Sequence, residues 1–391
     1  MKKEEIFGEY EEHILSTYRK IPLIFVKGKG SRLWDIHNRV FLDFFPGWGV
    51  NNVGHCHPKV MSAVRDQISR LIFVPNSYYN VCQAQLAGEL SFYTFPASYF
   101  FCNSGAEANE AAIKLARQFG KGRYGIITFE NAFHGRTMGA LAATGQEKYQ
   151  RGFGPMLEGF KSVPFNDISA VEKAAGPETA AVMLELIQGE GGINVATKEF
   201  VASLRELCDR KKLLLIVDEV QTGIGRTGKM FCYQNYGVMP DVLTAAKALG
   251  GGLPIGLMAV RKEFSDVLGP GMHASTFGGG PVICKAALAV LRAIRREKLL
   301  DNAVEMGEYL KQRLLVLKGK YPVIKDVRGM GLMLGIELAV SGDGVVEYCR
   351  EKGLLINCTH EKVLRVMPAL NVTRGQINKA AGILSGALAR V

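Results

Sequence analysis

The chain has 391 residues, of which 48% are hydrophobic; this is enough to bury a sizeable core and excludes an intrinsically disordered protein. Its net charge of +11 comes from basic residues dispersed among acidic ones, which favours a solvated surface and anionic small ligands over nucleic-acid binding. No apolar run reaches the roughly 18 residues of a membrane-spanning helix, and the acidic start is not typical of a secretory signal, so we expect a cytoplasmic protein that binds no membrane.

Short apolar runs alternate with helical patterns through the middle of the chain. The runs predict strands over residues 98–103, 124–130, 180–187, 213–220, 242–246 and 255–261. Helical periodicity predicts helices over residues 106–119 and 197–212. Strands that are apolar on both faces and separated by helices imply an α/β fold with a mostly parallel central sheet covered by helices. The loops after such strands meet at one edge of the sheet, where ligands usually bind.

The sequence changes character after about residue 285. A long helical pattern leads into short strands and a closing helix, which predicts a smaller α/β domain over residues 286–391. Strand patterns near the N-terminus, such as SRLWDIHNRVFLDFF, are expected to join that domain. We therefore expect an N-terminal segment (1–50) that packs with the small domain, a large domain (51–285) and the C-terminal small domain (286–391).

Two charged residues stand at the ends of apolar strands. Asp218 ends the run LLLIVDEV, where a buried carboxylate costs several kcal/mol unless something cationic meets it. A protonated pyridinium nitrogen would serve, and metal binding or helix capping are the alternatives. Lys247 follows the next strand and precedes three glycines that let the backbone approach a ligand. A desolvated lysine becomes a nucleophile towards aldehydes, whereas the alternative is an ordinary surface lysine.

Two further stretches suit a phosphorylated, flat ligand. The S-x-x-E pattern that begins at Ser104 is typical of a helix cap, but it also leaves the amides of Gly105 and Ala106 at the positive end of a helix, where a phosphate binds well. In FENAFHGRTMG, Phe133 could stack on a flat ring and Arg136 could pair with a carboxylate. A core aromatic and a surface charge are the alternatives for these two side chains.

Other common site chemistries are poorly supported. The two histidines and the cysteine of GHCHP lie too close in sequence to surround a metal without remote ligands, so we expect no metal. Eight cysteines occur without a CxxC pair, and we expect reduced thiols. Neither GxxxxGK[ST] nor a GxGxxG that opens a βαβ unit is present, which argues against a P-loop protein and a dehydrogenase.

Eleven motifs in order resemble the class-III (fold type I) aminotransferases, and within them the acetylornithine aminotransferase group. They run from about residue 21 to the C-terminus: GKGSRLWD, GHCHP, SGAEANEAAIKLAR, FHGRTMGALAATGQEKY, GFGP, QGEGG, VDEVQTGIGRTG, AKALGGGLPIG, STFGG, VRGMGLMLGIEL and LRVMPAL. One such motif would be weak evidence, while eleven in order are very specific. The resemblance implies pyridoxal 5′-phosphate as cofactor and a homodimer with shared active sites.

The same resemblance implies roles for single residues. Lys247 would bind the cofactor covalently and move a proton, and Asp218 would pair with the ring nitrogen. The other implied cofactor contacts are Val220 and Phe133 on the ring, Gln221 at the phenolic oxygen, and Gly105, Ala106 and the partner subunit's Thr276 at the phosphate. On the substrate side, Arg136 and Ser275 would contact substrate, and Arg365 would bind the α-carboxylate of 2-oxoglutarate or glutamate. Glu190 would mask Arg365 while a donor with a distal amine occupies the site.

The implied reaction is transfer of the terminal amine of N2-acetyl-L-ornithine to 2-oxoglutarate, giving N-acetyl-L-glutamate 5-semialdehyde and L-glutamate in arginine biosynthesis. Other ω-amino donors are the alternative: N-succinyl-diaminopimelate, ornithine, 4-aminobutyrate or an acetyl-lysine-like compound. An aminomutase and a non-catalytic binding module are further alternatives, and the two substrate arginines argue against the module. The sequence departs from the group at Leu186, Gly280 and Trp48, and the indole of Trp48 is expected to narrow the channel for an acyl tail.

Overall fold

The computed structural model describes residues 2–391, and helices and strands alternate along most of them. Within these residues the helices are α1 (Lys3–His13), α2 (Pro58–Ile68), α3 (Val81–Leu90), α4 (Gly105–Gly120), α5 (Met138–Ala143), α6 (Glu147–Gln150), α7 (Ile168–Ala174), α8 (Lys198–Lys211), α9 (Pro281–Arg296), α10 (Leu299–Lys320), α11 (Asp343–Glu351) and α12 (Arg374–Leu388). The strands are β1 (Phe25–Lys29), β2 (Arg32–Asp35), β3 (Val40–Asp43), β4 (Ala97–Cys102), β5 (Gly125–Phe129), β6 (Phe160–Val163), β7 (Thr179–Leu184), β8 (Ile187–Gln188), β9 (Asn194–Val195), β10 (Leu214–Asp218), β11 (Val242–Ala245), β12 (Gly256–Arg261), β13 (Ile324–Met330), β14 (Met333–Leu338), β15 (Leu354–Leu355), β16 (Asn357–Thr359) and β17 (Val363–Val366). Short 3-10 helices lie at Cys232–Asn235, Lys247–Gly250 and Lys262–Phe264.

The central sheet has seven strands in the order β4-β12-β11-β10-β7-β5-β6. The pairs from β11 to β6 are parallel, whereas β12 is antiparallel to both β11 and β4. A parallel return from β11 to β12 would need a crossover of a dozen or more residues, and the loop between them is shorter than that. The predicted α/β fold with a mostly parallel sheet covered by helices is therefore confirmed, with one reversed strand.

The central strand β10 shows why the sheet is covered on both faces. Leu215 and Val217 belong to one buried cluster, which includes apolar residues of α8, while Leu214 and Ile216 belong to a second cluster with the alanine-rich face of α4. Successive side chains of a strand point to opposite faces, so β10 is buried on both sides. Burying each such side chain contributes about 1.5–3 kcal/mol, which makes an entirely apolar run the favoured sequence here.

The N-terminal and C-terminal parts of the chain share a sheet. Strands β1, β2 and β3 form an antiparallel meander, and β3 pairs in parallel with β15, with Leu42 opposite Leu354. A separate antiparallel sheet has the order β13-β14-β17-β16. The strand prediction for residues 31–45 is confirmed, and the division of the chain into three parts near residues 50 and 285 stays a prediction.

The edge formed by the carboxyl ends of the parallel strands gathers several loops. Asp218 ends β10, Lys247 follows β11, and the loops after β4 and β5 begin at the same edge. The sequence did not predict β6, whose residues FKSV are mostly exposed or half-buried at the outer edge of the sheet. No helix within residues 2–391 is long and apolar enough to cross a bilayer.

Candidate active site

A cavity of about 650 Å³ opens at the carboxyl edge of the central sheet. Most residues that the sequence selects line this one cavity: Gly105, Ala106, Phe133, Arg136, Glu190, Asp218, Val220, Gln221 and Lys247. Arg365 lies immediately behind Glu190 and is ion-paired with it. Residues that are far apart in the sequence therefore converge on a single site.

Asp218 is buried at the end of β10 and accepts three hydrogen bonds. Its Oδ1 accepts from the Val220 amide at 2.9 Å, while Oδ2 accepts from Asn109 Nδ2 and His134 Nδ1, both at 2.8 Å. Asn109 Oδ1 in turn accepts from the hydroxyl of Thr244 at 2.7 Å. Three N–H donors thus compensate a carboxylate charge that would otherwise be costly to bury.

His134 and Asn109 are site residues that sequence reasoning missed. Burial lowers the pKa of His134, but the hydrogen bond and the negative charge of Asp218 outweigh burial, and the net effect raises that pKa. The bond to Asp218 assigns the proton to Nδ1, and Nε2 is buried with no partner among residues 2–391. Their closeness in sequence to selected residues could have identified them, because His134 directly follows Phe133 and Asn109 lies in the first turns of α4, near Gly105 and Ala106.

Lys247 begins the 3-10 helix after β11 with a positive φ of 43°. Its side chain is enclosed, and burial lowers the pKa of the ammonium; the nearby carboxylates of Glu190, Asp218 and Glu185 offset part of that effect. A lowered pKa increases the fraction of neutral amine, which is the nucleophilic form. The arrangement can therefore present a reactive amine close to the carboxylate of Asp218.

The N-terminus of α4 forms one wall of the cavity. The hydroxyl of Ser104 accepts from the Glu107 amide at 3.2 Å, while the Glu107 carboxylate accepts from the Asn103 amide at 2.8 Å. The amides of Gly105 and Ala106 belong to the first turn and have no acceptor within the helix, so they are available to an anion. A Cβ on Gly105 would lie 2.7 Å from Val220 Cγ1, which explains why this position is glycine.

Glu190 and the buried Arg365 form a bidentate ion pair. Glu190 Oε1 lies 2.5 Å from Arg365 Nη1, and Oε2 lies 3.2 Å from Nη2. Arg365 Nε donates to Asn357 Oδ1 at 2.8 Å, and its guanidinium lies 4.6 Å from the centroid of the Phe45 ring. Burial raises the pKa of Glu190, but the charge and hydrogen bonds of Arg365 outweigh burial, and the net effect lowers it.

Arg136 differs from Arg365 because it has no acid partner. Its side chain is exposed, and among residues 2–391 none of its N–H groups donates to an acceptor within hydrogen-bond distance. The guanidinium carbon lies 4.1 Å from the centroid of the Tyr149 ring and 5.6 Å from that of Phe133. The cavity therefore contains one unpaired arginine and, behind Glu190, one paired arginine.

Glu185 is a third acidic residue of the cavity, and the sequence analysis did not select it. It accepts from the amide of Phe133 at 2.9 Å and from that of Gly189 at 3.3 Å, and burial raises its pKa to about 7. The carboxyl group thereby joins the loop of Phe133 to the loop that carries Glu190. The sequence could have identified Glu185 in the same way as Asp218, because it is an acidic residue near the end of an apolar run, AAVMLELI.

Ser275, Thr276 and Trp48 do not line the cavity of the single chain. Ser275 Oγ accepts from Asn103 Nδ2 at 3.2 Å, one residue behind the cavity wall, while Thr276 is exposed. Trp48 is half-exposed, and its indole packs edge-on against Phe45 with the ring centroids 5.8 Å apart. Through Phe45 the indole is connected to the guanidinium of Arg365.

A family described as "Aminotransferase class-III" matches residues 14–388. The chain belongs to the class-III aminotransferases. An acetylornithine aminotransferase of Caldanaerobacter subterraneus subsp. tengcongensis is 49% identical to this aminotransferase over 387 residues, covering 97% of this chain and 98% of the relative. One of Methanocaldococcus jannaschii is 49% identical over 383 residues, covering 97% and 96%.

Solved structures agree with this membership. The ornithine aminotransferase of Toxoplasma gondii ME49 matches this aminotransferase with a TM-score of 0.96 at 33% identity, covering 100% of this chain and 96% of that one. An acetylornithine aminotransferase from Elizabethkingia anophelis matches with a TM-score of 0.89 at 30% identity, covering 100% of both chains. The fold of this class-III aminotransferase is thus the fold of enzymes that transfer amino groups.

Class-III aminotransferases use pyridoxal 5′-phosphate, and the cavity of this one fits that cofactor. A buried carboxylate, Asp218, is oriented by His134 and Asn109 at the base of the cavity, and Lys247 provides an enclosed amine. The first-turn amides of α4 provide an anion site. Gln221 Oε1 is buried without a hydrogen-bond partner among residues 2–391, which leaves one polar atom for a ligand to satisfy.

Proposed function

We propose that this enzyme transfers the terminal amine of N2-acetyl-L-ornithine to 2-oxoglutarate, giving N-acetyl-L-glutamate 5-semialdehyde and L-glutamate, a step of arginine biosynthesis. The observation that carries the proposal is the pair of unlike arginines in one cavity, Arg136 without an acid partner and Arg365 paired with Glu190. The names of the relatives that are 49% identical to this chain support the same donor.

The two arginines suit two substrates that differ in shape and charge. An ω-amino donor carries its carboxylate far from the reacting amine, and Arg136, whose donors are free, would bind it. During that half-reaction Glu190 would keep Arg365 neutralised. 2-Oxoglutarate carries a carboxylate beside the reacting carbonyl, so Glu190 would then withdraw and leave Arg365 to bind this group.

The residues that would hold the cofactor are those of the cavity floor and walls. Asp218 would pair with the ring nitrogen, Val220 and Phe133 would lie against the two faces of the ring, and Gln221 would contact the phenolic oxygen. Gly105 and Ala106 would bind the phosphate together with the partner subunit's Thr276. When bound, the cofactor supplies an electron sink for the negative charge that develops at the reacting carbon.

Lys247 would both hold the cofactor and act as the general base. Burial lowers the pKa of Lys247, which increases the fraction of free amine that can take the proton of the substrate carbon. A positioned base of this kind contributes about 10²–10⁴-fold to the rate. The carboxylates of Glu190, Asp218 and Glu185 lie close enough to influence the same amine electrostatically.

We further propose a cytoplasmic homodimer in which Thr276 and Ser275 complete the active site of the neighbouring subunit. The exposure of Thr276 in the single chain, outside its own cavity, supports that arrangement. Another ω-amino donor is the alternative: N-succinyl-diaminopimelate, ornithine, 4-aminobutyrate or an acetyl-lysine-like compound. The similarity to a solved ornithine aminotransferase at 33% identity favours ornithine within this set.

The experiment that tests the proposal is an absorbance spectrum of the purified holoenzyme. The yellow band of the lysine-bound cofactor should bleach on addition of N2-acetyl-L-ornithine and return with 2-oxoglutarate. Lys247→Ala should lack the band, while Lys262→Ala, an exposed lysine outside the cavity, should keep it. A yellow band that ignores N2-acetyl-L-ornithine but bleaches with another ω-amine would replace the donor. A protein that turns over no amine would refute the proposal.

A further inference from the structure

Tyr149 lies on the short helix α6 (Glu147–Gln150), next to Phe133 and Arg136 of the cavity wall. Two glutamine side chains fix the ends of this helix. The Gln146 amide donates to Asn131 O at 3.0 Å and to Ala132 O at 3.2 Å. The amide of Gln150 donates to Leu141 O and Thr144 O at 3.1 and 2.9 Å. The position of Tyr149 is thereby tied to the loop that carries Phe133 and Arg136.

The rings of Tyr149 and Phe133 form a corner that holds the guanidinium of Arg136. The two rings are nearly perpendicular, with an interplanar angle of 83° and centroids 5.7 Å apart. The Arg136 guanidinium carbon lies 4.1 Å from the Tyr149 centroid and 5.6 Å from the Phe133 centroid. A guanidinium on the face of an aromatic ring is attracted by the ring quadrupole, and this attraction occupies none of the N–H donors of the guanidinium.

We propose that Tyr149 is a positioning residue that orders Arg136 for the carboxylate of the amino donor. This inference rests on the proposed function, because it takes Arg136 as the donor-carboxylate site. An exposed arginine loses rotamer freedom when it binds a ligand, and a guanidinium already stacked on Tyr149 has less freedom to lose. Lys148 Nζ lies 4.9 Å from the same ring and adds positive charge where the carboxylate would bind.

The expected effect is specific to binding of a carboxylate. Loss of an exposed cation–π contact should raise the KM of the donor about 2- to 5-fold, while kcat stays unchanged. The hydroxyl of Tyr149 donates to no acceptor among residues 2–391, so the ring alone should be sufficient. An amine that lacks the carboxylate should not respond to the loss of the ring.

The experiment compares Tyr149→Leu with Tyr149→Phe in the holoenzyme, using N2-acetyl-L-ornithine and N-acetylputrescine, the same amine without the carboxylate. Tyr149→Leu should raise KM for the first amine 2- to 5-fold and leave kcat/KM for the second unchanged, while Tyr149→Phe should match the wild type. Tyr149→Met serves the same purpose if the leucine variant does not fold.

Equal losses with both amines, an unchanged KM in Tyr149→Leu, or a phenylalanine variant as poor as the leucine variant would each overturn the role of Tyr149. These outcomes are distinct from failure of the proposed function. A wild-type enzyme that does not accept N2-acetyl-L-ornithine refutes the proposed donor, whereas a wild type that accepts it with an unaffected Tyr149→Leu refutes only the positioning role.

Discussion

Replacing Glu190 with glutamine should shift the substrate preference of the enzyme towards glutamate and 2-oxoglutarate. In the structure the carboxylate of Glu190 bonds to both terminal nitrogens of Arg365, at 2.5 and 3.2 Å. Arg365 would keep its place without this carboxylate, because Asn357 accepts from Nε, Gly189 O accepts from Nη1, and Phe45 lies against its face. The substitution therefore removes the competing negative charge and leaves the arginine oriented for an incoming carboxylate.

The magnitude follows from the bond that 2-oxoglutarate must displace. A charge-assisted hydrogen bond contributes about 1.5–3 kcal/mol, and each 1.4 kcal/mol corresponds to a factor of ten. Glu190→Gln should therefore raise the specificity constant for glutamate about ten- to a hundred-fold. The specificity constant for the ω-amino donor should fall, because its carboxylate can then bind Arg365 with the terminal amine far from the reacting carbon.

The assay is single-turnover kinetics of each half-reaction, followed by the absorbance of the bound cofactor. Glu305→Gln is the matched control, since Glu305 forms an exposed ion pair with Arg374, neither residue lines the cavity, and the change should affect neither half-reaction. An unchanged ratio of the two specificity constants in Glu190→Gln would refute the idea that Glu190 masks Arg365. Equal losses in both half-reactions would mean that Glu190 only stabilises the fold.

Two further predictions concern the cofactor site. Gly105→Ala should destabilise the holoenzyme by about 1–3 kcal/mol and weaken cofactor binding, because the added Cβ would lie 2.7 Å from Val220 Cγ1. The control is Gly88→Ala in helix α3, where nothing lies within 4 Å of the added Cβ. His134→Asn, which keeps an N–H donor towards Asp218 but cannot titrate, should unfold with a different pH dependence from the wild type. The pKa of His134 in the folded state is raised above the 6.5 of the unfolded state. Its protonation therefore contributes fully to the free energy of unfolding below pH 6.5, and this contribution is lost as the pH rises through the folded-state pKa. Between the two pKa values the loss is about 1.4 kcal/mol per pH unit.

Urea unfolding of the holoenzyme measures both effects. Similar losses in Gly105→Ala and Gly88→Ala would show that the contact with Val220 does not require glycine. For the histidine, the difference in unfolding free energy between the wild type and His134→Asn should shrink from pH 6 to pH 9. A difference that grows with pH would mean that burial, not the charge of Asp218, controls the pKa of His134.

The sequence was sufficient for most of the architecture because burial on both faces leaves a simple pattern. Strands such as β10 are continuous apolar runs, and the capping residue Ser104 marks the start of α4. Nothing in the run IGLMAVR indicates that β12 lies antiparallel, because hydrophobicity reports burial and carries no direction. The edge strand β6 was missed for the opposite reason, since its half-exposed residues give no pattern.

The site likewise contains residues that the sequence identifies and residues that it does not. Asp218 and Lys247 could be selected because a charge at the end of an apolar strand conflicts with burial and needs a partner. Other site residues act through contacts made only in the folded chain: Asn109 and His134 with Asp218, and Tyr149 with Arg136. At each of these positions the sequence is equally consistent with an ordinary helix or loop residue. Such residues become visible only when the distances are known.

The pairing of β3 with β15 has a consequence for how the protein is made. Leu42 and its partner Leu354 are separated by roughly 300 residues, so a ribosome that adds about 5–20 residues per second needs roughly 15–60 s to synthesise the chain between them. During that interval the exposed edge of β3 has no neighbouring strand from its own chain, and it can pair with other nascent chains. This sheet can therefore be completed only after most of the chain has been synthesised.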